Sequence, residues 1–397
     1  MAMQVKMIQH PVGQGGLFSG DLSCGGQPLR WLYDCGSNQA APLQREIANV
    51  AGDGAIDLLF LSHLDSDHIS GIDQLLLNTG VTEVVLPYLN EKDRTLVICR
   101  DIEAGNLTST FLEFAVNPAR WLIDRGVNTV TFIDGRDDDA SLDDGPDGPV
   151  DGGIDGEGPT DYKWTRRPTK IRQLTGGATE QHMDTNAVVC CKSGYVPLNW
   201  VLSPYAHKPS VTRKKRFEGA LRAAFGARCS IKQITIQART VAGRTKLRDC
   251  YDTLWCNHNL VSMSLYAGPD LPVQPKQILK LDNKFYLWFG SQSEIGWLGT
   301  GDAQLKSKGR RDAFLSHYRR FLPRVDVFVV PHHGAHTYFH ADLLTALPNL
   351  HVGIAAAGKN GYDHPHKTVS DSFIKPHHIF HKVNEVAASR YIVQATL

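Results

Sequence analysis

Residues 61–71, LSHLDSDHISG, place two histidines and two aspartates within six positions, directly after the apolar run IDLLF. That run predicts a buried strand, and HISGIDQLLL after it has apolar residues at helical spacing. The junction is then a polar loop at a strand's C-terminal edge, held rigid by its flanking elements while its side chains aim outward. Alternate positions of an extended loop point the same way, and the helical turn adds the last, so His63, Asp65, Asp67 and His68 can face one cavity. The geometry suits one or two cations. The plainer alternative is a polar loop capped by Asp67 at a helix N-terminus.

Distant parts of the chain repeat the pattern. LGTGDAQ sets Asp302 after the strand-like GWLG, VDVFVVPHHGAH ends an apolar run in His332 and His333, and HVGIAAAGKNGYDHPH ends another in His364 and His366. Histidines and aspartates gathered at the ends of successive strands are what a dinuclear metal centre needs.

The first third alternates strands near 56–62, 82–87 and 128–133 with helices near 68–78 and 108–125, and AVVCCK, LNWVLSP, LVSMSLYA, KFYLWFG, VDVFVVP, HVGIAAA and SRYIVQA read as later strands. Many strands with interspersed helices predict an α/β protein of layered sheets covered by helices. We read residues 1–397 as a single domain interrupted by two unusual segments. Residues 134–161 carry eleven acidic side chains against one arginine, with repeated Gly and Pro, the composition of a flexible acidic loop. A basic insertion spans 205–256; between Lys208 and Asp249 it holds twelve Lys or Arg against two acidic residues. Such a tract is either a solvated helix face or a polyanion contact. The net charge of +1 hides this segregation. No apolar window reaches membrane-spanning length and no signal-peptide pattern opens the sequence, so a cytoplasmic protein is expected, its eight cysteines reduced.

His63-x-Asp65-x-Asp67-His68, Asp302 in TGD, His332-His333-Gly334 and GKNGYDHP together resemble the metallo-β-lactamase superfamily, and most nearly the soluble hydrolase domain of ComEC-type DNA-uptake proteins. LNWVLSP and HNLVSMSL look like that branch's strands, and Asp34 in WLYDCGS matches the early strand-end aspartate. The likeness covers roughly residues 4–90 and 186–397. It implies an αββα four-layer sandwich with two divalent metal ions, Zn²⁺ or Mn²⁺, at one edge. His63 and Asp65 would hold one ion and Asp67, His68 and His364 the other. Asp302 would bridge them, with Asp34 behind the ligands. His332 and His333 would sit beside the ions as proton donor or transition-state stabiliser, or one could be a ligand.

Two departures stand out. Asp65 occupies the place of the commoner pattern's second histidine, which hardens the site toward Mn²⁺. The middle histidine ligand has His258 as its nearest counterpart.

The resemblance and the charge balance imply a metal-dependent hydrolase, foremost a phosphodiesterase or nuclease using a two-metal-bridged hydroxide. Arg213, Lys214, Lys215, Arg216, Arg244 and Lys246 would then steer a nucleic-acid substrate. Phe217, Phe225, Tyr251 and Trp255 either stack bases or belong to the core. The alternatives are a small-molecule hydrolase of a lactone, thioester or cyclic nucleotide, and a non-catalytic, metal-stabilised sensing or interaction module, with defence against foreign DNA as one setting for it. DNA uptake itself is not implied, since no membrane segment accompanies the motifs.

Overall fold

The computed structural model describes residues 1–135, 145–149, 152–206, 211–227, 229–253, 261–282, 285–289, 294–374 and 378–397. An antiparallel meander of β1 (Gln4–Gln9), β2 (Gly15–Ser23) and β3 (Leu29–Ser37) leads through α1 (Ala40–Gly52) into β4 (Ile56–Phe60). Short helices α2 (Ser66–Ile69) and α3 (Ile72–Asn78) precede β5 (Val81–Pro87). Three more, α4 (Glu91–Ala104), α5 (Ser109–Val116) and α6 (Pro118–Ile123), precede β6 (Thr129–Asp134). Then come β7 (Thr160–Trp164), β8 (Lys170–Gln173), β9 (Thr179–Asp184), β10 (Val189–Ser193) and β11 (Val196–Ala206).

Helices α7 (Val211–Phe225), α8 (Ile231–Ala238) and α9 (Val241–Asp252) separate β11 from β12 (Met263–Gly268). The remainder is β13 (Gln277–Asp282), β14 (Phe285–Phe289), β15 (Gly296–Gly299), α10 (Lys308–His317), β16 (Val325–Val329), α11 (Asp342–Thr345), β17 (Val352–Ala356), α12 (Lys367–Asp371), β18 (Ile379–Val383) and β19 (Tyr391–Thr396).

Among the described residues one sheet has the order β14-β13-β19-β1-β2-β3-β4-β5-β6-β9-β8 and the other β18-β17-β16-β15-β12-β11-β10-β7. Each contains a parallel block: β3 to β6 with β9 in the first, and β15 to β18 in the second. The two sheets face each other across Trp31, Leu58, Phe60 and Val85 on one side and Trp200, Leu265, Trp297 and Val327 on the other. Leu59, Leu61, Val84 and Leu86 point the opposite way, under Ile47, Leu75, Ile98 and Leu247 of the helices. This double burial explains the unbroken apolar run of IDLLF, since a parallel strand covered on both faces has no polar alternation. A third cluster packs Val201, Tyr266 and Phe328 beneath Phe314, Leu343 and Val369. The result is the expected αββα sandwich. No helix among the described residues is long and apolar enough to cross a membrane.

Two expected helices are corrected. The helix expected at 68–78 is two, α2 and α3. That expected at 108–125 is also two, because Asn117 accepts the Arg120 N–H and Pro118 begins a new first turn. The basic insertion does not stand apart. Phe217, Leu221, Ile234, Leu247 and Tyr251 pack with Ile98, Cys99, Ile102 and Phe111, so α7–α9 join α4–α6 in one helical cap on the first sheet. Phe217 and Tyr251 are therefore core residues, Phe225 packs at the core's margin, and Trp255 lies outside the described residues.

The described part of the acidic segment is held in place. Arg166 donates to both carboxylate oxygens of Asp147 at 2.7 Å, and the Gly153 N–H donates to the Pro197 carbonyl at 3.1 Å. Residues 136–144, 150 and 151 lie outside the described residues. The described cysteines are unpaired, Cys229 half-buried and the others buried.

Candidate metal centre

Strands β4, β15, β16 and β17 all deliver their C-terminal ends to one edge between the sheets. Ser62 and His63 follow β4 directly, and the loop continues into α2 with Asp65 at the N-cap position. An N-cap aspartate ordinarily accepts the first free N–H groups of its helix. Asp65 makes no such bond; its carboxylate lies 3.1 Å from His63 Nε2 and pairs with Arg100 of α4. The loop seats directly on β2 and β3 because two glycines clear the way. A Cβ on Gly36 would come within 2.4 Å of the His68 carbonyl carbon, and one on Gly16 within 3.0 Å of both Asp34 Oδ2 and His68 Nδ1.

The remaining strand ends complete the cluster. The Asp302 N–H donates to Ser262 Oγ at 3.0 Å, fixing the turn after β15. His332 and His333 follow β16 with φ of 49° and 57°, and Asp34 in β3 has φ of 61°. Left-handed backbone at a non-glycine residue costs roughly 1–3 kcal/mol and persists only where surrounding packing dictates it. Three such residues meet at this edge.

Donor geometry fixes which nitrogen of each ring faces the cluster. Ser62 donates its N–H to Asp34 Oδ1 at 2.6 Å and its hydroxyl to Asp34 Oδ2 at 2.7 Å. Its oxygen, 2.8 Å from His63 Nδ1, is then left to accept that ring's N–H. His68 Nδ1 donates to Asp34 Oδ2 at 2.7 Å, and His333 Nδ1 to the Ala356 carbonyl at 2.8 Å. All three imidazoles therefore turn Nε2 inward, and with that nitrogen unprotonated each is the tautomer a metal ligand requires.

Inward distances are 3.5 Å from His63 Nε2 to Asp302 Oδ2, 3.5 Å from His68 Nε2 to Asp302 Oδ1, 3.4 Å between His68 and His333 Nε2, and 3.2 Å from His333 Nε2 to Asp67 Oδ2. Donors held about 2.1 Å from a tetrahedral ion stand about 3.4 Å apart, so these separations fit divalent cations. Three groupings, His63/Asp65/Asp302, His68/Asp302/His333 and His63/Asp67/His68, each keep their donor atoms within 4.8 Å. Asp302 takes part in two.

The electrostatics agree with that fit. Burial and the neighbouring His68 oppose protonation of His63, yet Asp65 and Asp302 together lift it to about 9. Burial disfavours the Asp302 carboxylate, but the surrounding histidines hold its pKa well below the usual range. The carboxylates thus draw protons onto the imidazoles, and metal ions compete for the same lone pairs. His332 differs: burial pushes it down to about 3 despite Asp302 beside it at 3.3 Å.

His63, Asp65, Asp67, His68 and Asp302 are thus brought together, with Asp34 behind His68. His333 joins them facing inward. His364 stands farther out, its ring centroid 6.4 Å from that of His333 and 5.5 Å from that of His332, and in none of the three groupings. His258 lies outside the described residues. Of the basic set, Lys215, Arg216 and Lys246 are exposed, while half-buried Arg244 donates to the Ala238 carbonyl within the cap. Arg213 and Lys214 belong to α7.

Sequence reasoning missed Arg100 and Ser62. Ser62 sits in the motif itself, beside His63. Arg100 carries no local signal, because only the packing of α4 brings it to Asp65.

A family model described as the metallo-beta-lactamase superfamily matches residues 29–92, the span that contains Asp34 and the whole His63–His68 loop. Curated proteins named Ribonuclease BN, from Escherichia coli strain K12 and Shigella boydii serotype 18, are each 29% identical over 127 residues, which is 31% of this chain and 36% of theirs. The chain thus spans about a third of the length of these relatives. Among solved structures, the metallo-beta-lactamase fold protein YhfI from Bacillus subtilis aligns over 97% of this chain and 98% of its own, at 9% identity and a TM-score of 0.36. Unliganded yeast PDE1 aligns over 100% of both chains at 10% identity and a TM-score of 0.39.

Proposed function

We propose that this chain, which has the metallo-β-lactamase fold, is a metal-dependent phosphodiesterase acting on nucleic acid. The observation that carries the reading is the convergence of three inward Nε2 atoms and three carboxylates on one edge, with the Arg100 guanidinium beside them. Three aspartates leave a surplus of negative charge that two divalent ions would convert to about +1, and Arg100 adds to it. Such a site draws in an anion. When bound, the ions supply Lewis acidity and lower the pKa of water toward 7.

The chain's own residues would do the following. His63, Asp65 and Asp302 hold one ion, and Asp67, His68 and His333 the other, with Asp302 shared. This assigns to His333 the place that the resemblance gave to His364. Asp34, Ser62 and the Ala356 carbonyl keep the rings in the ligand tautomer. His332, neutral near pH 7 and packed 4.0 Å from the Tyr338 ring, lines the site and does not act as an acid.

The partial likeness to Ribonuclease BN supports a nucleic-acid substrate, and the TGD, HHG and GKNGYDHP motifs support the narrower ComEC-type likeness. The test is hydrolysis of bis-p-nitrophenyl phosphate, single-stranded DNA, RNA, a cyclic nucleotide and a lactone with Mn²⁺ or Zn²⁺, alongside metal content. Phosphodiester cleavage abolished by chelator and lowered at least about 100-fold in His63→Ala is expected. Faster cleavage of the lactone would transfer the site to small molecules. Less than one ion per folded chain would make it non-catalytic.

A further inference from the structure

A groove of about 700 Å³ lies between the β8–β9 edge and the cap helices α4, α6, α7 and α8. Its Tyr88 end lies at the strand-end edge that carries the metal cluster. Tyr88 directly follows β5, which pairs in parallel with β4 at Phe60↔Val85, so Tyr88 stands one strand over from the His63 loop. Helix α4 spans both places: Arg94 lines the groove, and Arg100, about 9 Å farther along the axis, pairs with Asp65.

Two features of the groove point to one kind of occupant. The first is a ring platform. Tyr88 packs tilted against His182 with ring centroids 4.8 Å apart and meets Phe132 edge-on at 5.9 Å, both of which are buried, while Tyr88 itself is 45% exposed. A buried tyrosine in such a cluster would be core; one this exposed leaves part of its ring available to a ligand. The second is unspent positive charge. Three acids and five cations line it: Glu218 is committed to Lys92 at 2.9 Å, Glu180 lies 3.8 Å from Arg172, and Glu91 stands near Arg94, which leaves a positive excess. Arg94, Lys170 and Lys232 have no ion-pair partner among the described residues, and the half-buried Arg94 keeps its Nε out of solvent with no hydrogen-bond acceptor.

We propose that this groove seats a single-stranded nucleic-acid segment, its phosphates on Arg94, Lys170 and Lys232 and an unpaired base on Tyr88, and feeds the strand to the metal cluster. An acidic peptide would satisfy the cations but leave the aromatic face unused, and a duplex has no free base face to offer it. The proposal relocates the substrate path from the basic residues of α7 and α9 to the wall shared by α4, α8 and β8. It rests on the phosphodiesterase reading for its direction toward the metals, but binding in the groove can be measured apart from catalysis.

The experiment is fluorescence anisotropy of the full chain with a fluorescein-labelled phosphorothioate dT12, which resists cleavage, beside hydrolysis of bis-p-nitrophenyl phosphate. Tyr88→Ala and Arg94→Gln should each weaken dT12 binding roughly ten-fold. Lys170→Glu with Lys232→Glu should weaken it more and lower the salt slope by about 0.7 per cation removed. Hydrolysis of the small diester should stay within two-fold in all of them. Unchanged dT12 binding in these variants overturns the groove, as does competition by poly-glutamate or by a duplex at the affinity of dT12. Absence of diester hydrolysis in the unmodified protein, with dT12 still bound through Tyr88, would instead overturn the phosphodiesterase reading and leave the groove standing.

Discussion

Strand β16 carries buried charge at both ends, and the two ends are built on opposite plans. At its start Asp326 meets Lys280 of the other sheet at 2.5 Å, both side chains fully buried, and His351 Nδ1 at 2.7 Å. At its finish His332 and His333 enter a cluster with Asp65, Asp67 and Asp302. In the first group one buried lysine answers one buried aspartate, so the formal charges balance. The second balances only by borrowing protons: Arg100 alone faces three carboxylates, and the imidazoles answer the rest by taking protons that a metal ion would displace. Burying unbalanced charge is unfavourable unless something else completes it, so the open end is where a ligand belongs and the closed end is scaffold.

Asp302→Ala gives the comparison its largest expected effect. Asp302 belongs to two of the three donor groupings, so its loss should remove bound metal, abolish the rise in Tm that metal produces, and lower diester hydrolysis by at least about 10³-fold. Elemental analysis, a melting curve with and without Mn²⁺, and bis-p-nitrophenyl phosphate turnover read all three. Full metal content in this variant would mean that the cluster closes without its shared carboxylate, and the contrast between the two ends of β16 would collapse.

Lys280→Met probes the closed end. Removing one partner of a fully buried pair costs about 3–5 kcal/mol, whereas replacing both is close to neutral. The single variant should therefore lose most of its stability to urea, and Lys280→Met with Asp326→Leu should regain much of it. Metal content per folded chain should match the unmodified protein in both. A fall in metal content would show the two ends of the strand to be coupled, contrary to the division drawn between them.

These two ends also differ in how far they could be read beforehand. The open cluster was legible because its donors crowd the ends of apolar runs, and a loop after a strand has few directions in which to point. The four-layer fold was legible for a related reason: the strands IDLLF and VDVFVVP are apolar throughout. The closed pair was not, because QILKLD alternates like a strand with Lys280 on its wet face, and only the partner sheet makes that face dry. Arg100 was hidden in the same way, since nothing in KDRTLVICRDI tells which face of α4 will meet Asp65. That His333 turns Nε2 toward the cluster was equally out of reach, as it depends on a backbone acceptor, the Ala356 carbonyl. Residues that act through local spacing are visible in one dimension; those that act through a partner from another layer are not.

Asp34→Asn carries the smallest expected effect and asks whether the open cluster is shaped from behind as well as filled from within. Asn tolerates the left-handed backbone that Asp34 adopts, so the strand should keep its course. What changes is the acceptor. Asp34 Oδ2 receives both the Ser62 hydroxyl and His68 Nδ1, and a neutral amide oxygen holds the imidazole N–H less firmly and makes Nε2 a weaker donor. Metal affinity should drop about 10- to 100-fold, measurable by competition with a chelator. Because the ligands themselves remain, excess Mn²⁺ or Zn²⁺ should restore diester hydrolysis to near its original rate, which Asp302→Ala cannot do. If saturating metal leaves the Asp34→Asn rate low, Asp34 acts on the reaction itself, and the boundary of the open cluster must be drawn one residue farther into β3.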